Sequence, residues 1–173
     1  MQATAEAPTR QQQTDRTIGP WDWVRGALGG FIGSMAFGLM MAFIMPPPLL
    51  EVVIPTMYGF EATPDNPAIG AGWMLHQFHG VMLGLAYVAY SELPAVRSWV
   101  DPRSIGGGLA HGVIWGVITT LVLAVIVMPL WLQTVGFPAA PPFPNIGAGT
   151  VMSLLGHIVY GVSLGVVYAL YRR

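Results

Sequence analysis

Four stretches of the chain stay apolar for about twenty residues at a time, nearly free of Asp, Glu, Lys and Arg: Trp23 to Met45, Ile69 to Tyr90, Ile105 to Leu130 and Gly147 to Tyr171. About 20 residues is the length an α-helix needs to cross roughly 30 Å of hydrocarbon. Lipid offers no water to unpaired backbone groups, and no segment alternates apolar with polar residues over the length of a barrel strand, so the spans are expected to be helices. The predicted fold class is an all-α integral membrane protein with four transmembrane helices arranged as two tandem helical hairpins. The expected plan is a disordered tail over residues 1–20, a first hairpin over 21–90, a connection over 91–103 and a second hairpin over 104–173.

The hairpins read as a repeat. "HQFHGVMLGLAYVAY" (His76 to Tyr90) recurs as "HIVYGVSLGVVYALY" (His157 to Tyr171), and "IGAG" precedes each, at Ile69 and at Ile146. "MPPPLL" and "MPLWLQ" end the first and third spans, and each is followed by a Gly-Phe pair, Gly59-Phe60 and Gly136-Phe137. So many matches in one order point to duplication, with parallel repeats related by an axis along the membrane normal. Small residues recur every fourth position: Gly26, Gly30, Ser34 and Gly38 in the first span, Gly108, Gly112 and Gly116 in the third. Shorter stripes, Gly80 with Gly84 and Gly161 with Gly165, lie on the second and fourth. Such stripes let helix backbones approach closely in lipid, where packing drives association. With stripes on all four helices, a homo-oligomer or a complex with other membrane subunits is expected.

Composition supports the same class: 54% of residues are hydrophobic and 9% charged, far below the roughly one-quarter charged content of soluble domains. Mean hydropathy is +0.59, so the lipid bilayer is the expected partner. The seven basic residues fall near the N-terminus (Arg10, Arg16, Arg25), in the central connection (Arg97, Arg103) and at the C-terminus (Arg172, Arg173). The other two loops carry only Glu51, Glu61 and Asp65 as charges. The positive-inside rule then puts both termini on the cytoplasmic side of a cell (inner) membrane. The polar first eighteen residues lack the apolar core of a signal peptide. Absence of cysteine excludes disulfides and thiolate sites, and neither the net charge of −1 nor any phosphate-cradling loop points to nucleic acid.

The polar residues inside the spans are the candidate chemistry. His76 and His157 are equivalent in the repeat, so they are expected at one depth in the outer half of the bilayer, each one turn before a glycine stripe and facing a helix contact. His79 aligns with Tyr160, and His111 lies on the third span. A neutral imidazole in lipid has to satisfy a donor and an acceptor, which leaves several readings. In one, each histidine bonds a carbonyl, serine or tyrosine across helices, with His79 and Tyr160 as one such pair. In another, His76 and His157 are the axial ligands of a b-type haem in an electron carrier, although the outer loops hold no Arg or Lys for its propionates. A metal held by His76, His79 and His157, or a proton path through His111, His79 and His76, would lack any carboxylate within the membrane. No metal ligand set is assigned. Met40 to Pro46, "MMAFIMP", reads as packing more than as a copper site. No hydrolytic triad or paired-carboxylate motif occurs, so a non-enzymatic membrane component is expected.

A glycine-rich first helix ending in "MPPP", a second carrying "HQFHGVMLGLAY", a third running into "MPLWLQTVGFPAAPP" and a fourth with "GHIVYG" together resemble the YagU-like inner-membrane proteins. The pattern is more similar still to uncharacterised haloarchaeal four-helix membrane proteins of like length, some labelled histidine kinase. The resemblance covers Trp21 to Tyr171. It implies a polytopic membrane protein without an established activity, loosely linked in bacteria to acid tolerance, and carries over no functional residue. The chain has no kinase ATP-binding motif.

Overall fold

Helix starts and stops follow local chemistry. The structure, a computed structural model, describes residues 17–45 and 48–170. Residues 1–16 of the expected tail, and Tyr171 at the end of the fourth expected span, lie outside the described residues. The first helix, α1 (Pro20–Phe43), begins three residues before Trp23, because Pro20 is preset for a first turn and the Asp22 carboxylate accepts the Gly19 N–H at 2.9 Å. A π-helical turn (Leu49–Val53) leads into the short α2 (Ile54–Met57). Then follow α3 (Ile69–Ser91), the short α4 (Pro94–Arg97), α5 (Ile105–Thr134) and α6 (Ala148–Leu170). Ser104 caps α5 by accepting the Gly107 N–H at 3.0 Å.

The expected third span stopped at Leu130, yet α5 continues to Thr134. It passes Pro129, which offers no N–H, immediately after a π-helical stretch, Thr120–Val127. Wider turns of that kind let a helix absorb a proline without ending. The Thr119 and Thr120 hydroxyls bond back to the Trp115 and Gly116 carbonyls at 2.8 Å. Helix α2 and helix α5 end alike. Gly59 and Gly136 take φ values of 82° and 72°, and the following Phe60 and Phe137 N–H groups reach back to the Pro55 and Leu132 carbonyls at 3.2 and 2.9 Å. These are Schellman closures, and the left-handed residue in each explains why a Gly-Phe pair stands there.

Three helices, α1, α5 and α6, are long and apolar enough to cross a membrane, which makes the chain a multi-pass helical membrane protein in contact with lipid. Helix α3 has the length, 23 residues, but His76, Gln77 and His79 dilute its hydropathy and it is not among the three. Helix α1 packs against α3 and α6, and α5 packs against α6. All these neighbours run antiparallel, as the order of their contacts shows.

Glycine sets the spacing. A methyl group at Gly26 would lie 2.7 Å from the Gly84 carbonyl oxygen, and one at Gly116 would lie 2.6 Å from that of His157. Along α1 and α3 the contacts are Gly26 with Gly84, Gly30 with Gly80, and Gly38 with Trp73 and His76. Along α5 and α6 they are Gly108 with Gly165, Gly112 with Gly161, and Gly116 with His157. Gly29 and Gly33 of α1 receive Leu164 and Tyr160 of α6, and Gly156 of α6 receives the Phe37 ring. The small-residue stripes of the described residues are therefore engaged between helices of the same chain. The outward faces instead carry large apolar side chains such as Phe31, Leu39, Phe78 and Leu121.

Replacing Gly112 by Ala drives a methyl into the Gly161 carbonyl, a backbone atom with no rotamer to escape through. It should cost about 1–3 kcal/mol. Gly106→Ala, on the same helix with nothing within 4 Å, should stay within about 0.5 kcal/mol of the parent in a thermal unfolding series in detergent.

Candidate functional site

Antiparallel packing brings His76 on α3 and His157 on α6 to the same level of α1, where the Phe37 ring meets both edge-on, at 5.6 and 4.9 Å between centroids. Both rings of the pair thus stand at one level along α1. What they bond to differs. His76, buried, donates from Nε2 to the Ser34 carbonyl of α1 at 2.9 Å, a bond between helices. His157 donates from Nδ1 to the Ser153 carbonyl one turn back on its own helix at 2.8 Å, because Gly116 brings the facing backbone against the His157 carbonyl and not against the ring. A macrocycle liganded by both imidazoles would have to displace Phe37, which is itself seated in the notch of Gly156. The residues present do not fit a haem between α3 and α6.

The expected His79–Tyr160 pair does not form. His79 bonds the Tyr58 hydroxyl from the segment between α1 and α3, while the Tyr160 hydroxyl donates to the Gly80 carbonyl at 2.8 Å. Side chains of the segments after α1 and at the end of α5 reach into the packing. Leu50 is 2% exposed with its carbonyl against Gly72, and Trp131 on α5 stacks near Tyr58 and donates to the Met57 carbonyl at 2.8 Å. The Tyr58 phenol lies outside the long helices, and burial raises its pKa. His111 does not join the other three histidines. Its Nε2 donates to the Val100 carbonyl at 2.9 Å, because the central connection folds up against the start of α5. Along α3 the His79 level is about 16 Å from the Tyr90 level that His111 touches, so the histidines are not strung into one path. Among the described residues no group of three or more His, Asp or Glu side chains converges as a metal site. Met41 is buried in the core, and Met41 and Met45 line a shallow cleft of about 180 Å³ closed by Pro48 to Glu51.

The most strongly polar cluster went unforeseen. At the arginine-bearing end, the Glu92 carboxylate, 4% exposed, accepts from Arg103 Nε at 2.8 Å, from Arg97 at 3.1 Å and from the Tyr168 hydroxyl of α6 at 2.7 Å. Arg103 also reaches Asp22 of α1 at 3.0 Å, and Arg25 lies 3.5 Å from the other Asp22 oxygen. One network thus ties α1, the end of α3, α4, the connection and α6. Burial works against the Arg103 cation, but Glu92, Tyr168 and Asp22 outweigh it and hold its pKa above the ordinary arginine value. The signal was there to read: Asp22 and Glu92 stand at the ends of apolar spans on the same side as Arg97 and Arg103. Counting arginines alone for topology passed over the acids that pair with them.

These features define a class, a small helical membrane protein whose interior polar groups are engaged mainly with one another and with backbone carbonyls. Beyond the class, comparison with protein-family models, with curated proteins and with solved structures finds no match.

Removing Glu92 would take away the carboxylate shared by the buried Arg97 and the partly buried Arg103 guanidinium groups. Glu92→Ala should cost about 3–5 kcal/mol, seen as early unfolding on heating in detergent. Glu61→Ala, on the exposed outer segment, should be close to neutral in the same assay.

Proposed function

We propose that the chain is a four-span, non-enzymatic protein of the inner (cytoplasmic) membrane that serves as a structural or accessory component of a larger membrane assembly. The observation that carries this reading is the use made of the histidines. One ring nitrogen of every histidine is part of a packing arrangement: His76 holds Ser34, His157 holds Ser153, His79 holds Tyr58 and His111 holds Val100. Of these, the His76–Ser34 bond joins two helices, the ordinary glue of membrane bundles.

Support for α3 as a fourth span comes from its length and from its antiparallel pairing with α1 between Gly26–Gly84 and Gly38–Trp73. A tandem repeat is supported by the parallel series Gly26–Gly84 and Gly30–Gly80 beside Gly108–Gly165 and Gly112–Gly161, and by the twin Gly-Phe closures. Both termini on the cytoplasmic side accord with Arg25, Arg97 and Arg103 gathering at one end, where α1 starts and α6 stops, while the outer segments hold Glu51, Glu61 and Asp65. The resemblance to YagU-like proteins leads to the same plan. Any partner would meet the outward apolar faces, since the glycine stripes are engaged within the chain.

Two experiments test the reading. The chain has no cysteine, so Glu61→Cys and Ser98→Cys can be labelled singly with an impermeant maleimide. Glu61→Cys should react from outside the cell and Ser98→Cys only after the membrane is opened; labelling of both from one side would mean that α3 does not cross. Purified protein should also show no Soret or α band, oxidised or dithionite-reduced, once unbound haem is removed, and should carry no proton flux in liposomes. A flux abolished by His76→Ala in a protein of unchanged melting temperature would replace the structural role with transport.

A further inference from the structure

Deep between α3 and α5, three polar atoms find no hydrogen-bond partner among the described residues: the Tyr87 hydroxyl, His111 Nδ1 and Trp115 Nε1. Their residues are 0%, 0% and 8% exposed, so bulk solvent does not serve them. Their rings are neighbours. His111 and Trp115 stand four residues apart on one face of α5, and Tyr90 of α3 spans both, stacked on Trp115 at 5.2 Å and edge-on to His111 at 6.1 Å. The Tyr87 ring meets Trp115 at 6.0 Å, and its hydroxyl points toward Gly165, where α5 and α6 touch.

The orphaned atoms are chemically complementary. Because His111 Nε2 donates to the Val100 carbonyl, the neutral ring presents Nδ1 as an acceptor. Trp115 Nε1 can only donate, and the Tyr87 hydroxyl can do either. One acceptor, one donor and one adaptable group form the set that a single water satisfies, and buried waters typically make about three such bonds. Three unrelated packing defects of matched polarity in one place would be a poor alternative, since most buried polar atoms are paired. The location adds a reason. Helices α1 and α3, α1 and α6, and α5 and α6 meet along glycine notches, whereas α3 and α5 meet through large aromatic side chains. Rings bridging that wider seam leave polar edges that do not reach each other.

We propose that Tyr87, His111 and Trp115 form a binding site for one internal water, which closes the seam between α3 and α5. The site adjoins the charged end of the molecule: Tyr168 packs edge-on to Tyr87 at 5.6 Å and donates to Glu92. That tyrosine is the last ring between the water and the Glu92–Arg103 pair. The site is independent of the accessory role proposed above, and would hold for a transporter as well.

The sign of one substitution tests it. If the Tyr87 hydroxyl is unpaired, Tyr87→Phe removes a buried defect and leaves the melting temperature of the full chain in detergent unchanged or raised. If it bonds a water, the same change lowers it, by about 2–4 °C for a chain of this size. The Tyr87→Phe and Trp115→Phe losses should then sum to more than that of the double variant, since they share one water. Independently, in wild-type protein labelled with nitrogen-15, the Trp115 indole N–H, assigned by its loss in Trp115→Phe, should show direct cross-relaxation from a long-lived water. An unchanged or raised melting temperature for Tyr87→Phe, or an indole N–H without that cross-relaxation, overturns the proposal.

Discussion

Close approach of helix backbones at glycine is the constraint on which the rest of this structure depends. In lipid no hydrophobic force draws one helix to another, so association rests on contact area, and contact area rests on how near two backbones can come. At Gly26, Gly30, Gly112 and Gly116 the facing carbonyl occupies the place a side chain would take. That nearness fixes antiparallel register along α1–α3 and α5–α6. Register in turn decides which polar side chains of one helix meet which carbonyls of the next. His76 reaches Ser34, and Tyr160 reaches Gly80, only because the helices are held at this spacing.

The two ends of the molecule are held by different chemistry. At the arginine-bearing end, Glu92 and Asp22 gather guanidinium groups from three parts of the chain in a largely buried network. At the other end, proline-rich segments fold back over the helices with apolar and aromatic side chains, Leu50, Tyr58 and Trp131. Between them the interior is aromatic and aliphatic, with Tyr87, Tyr168 and Leu164 fully buried. A charged knot at one end and an apolar lid at the other leave the middle to shape complementarity. The His76 ring and the Tyr160 hydroxyl there bond backbone carbonyls of neighbouring helices.

Much of this was legible in the residues, and what was not has a physical cause. Helix limits lay close to those expected because caps and breakers act locally: Pro20 and Asp22 start α1, Ser104 starts α5 and Gly136 stops it. The extension of α5 past Leu130 escaped notice because a π-helical stretch ahead of Pro129 has no distinctive composition. Among the candidate site residues, the glycines and the common level of His76 and His157 followed from spacing. The bond partners did not: His79 takes Tyr58, 21 positions earlier in the chain, and not Tyr160, and Glu92 takes Arg103 and Tyr168.

Taken alone, the chain determined its class, its helices and the faces they bury. Lipid compatibility, capping and four-residue periodicity are properties of neighbouring residues. Only the tertiary structure decided that Phe37 stands against both His76 and His157, that His111 is held by the central connection, and that Glu92 is the centre of a buried ionic network. Each of these depends on which residues of distant segments share a height and an azimuth once the backbones are in contact. Sequence spacing along one helix carries no record of that.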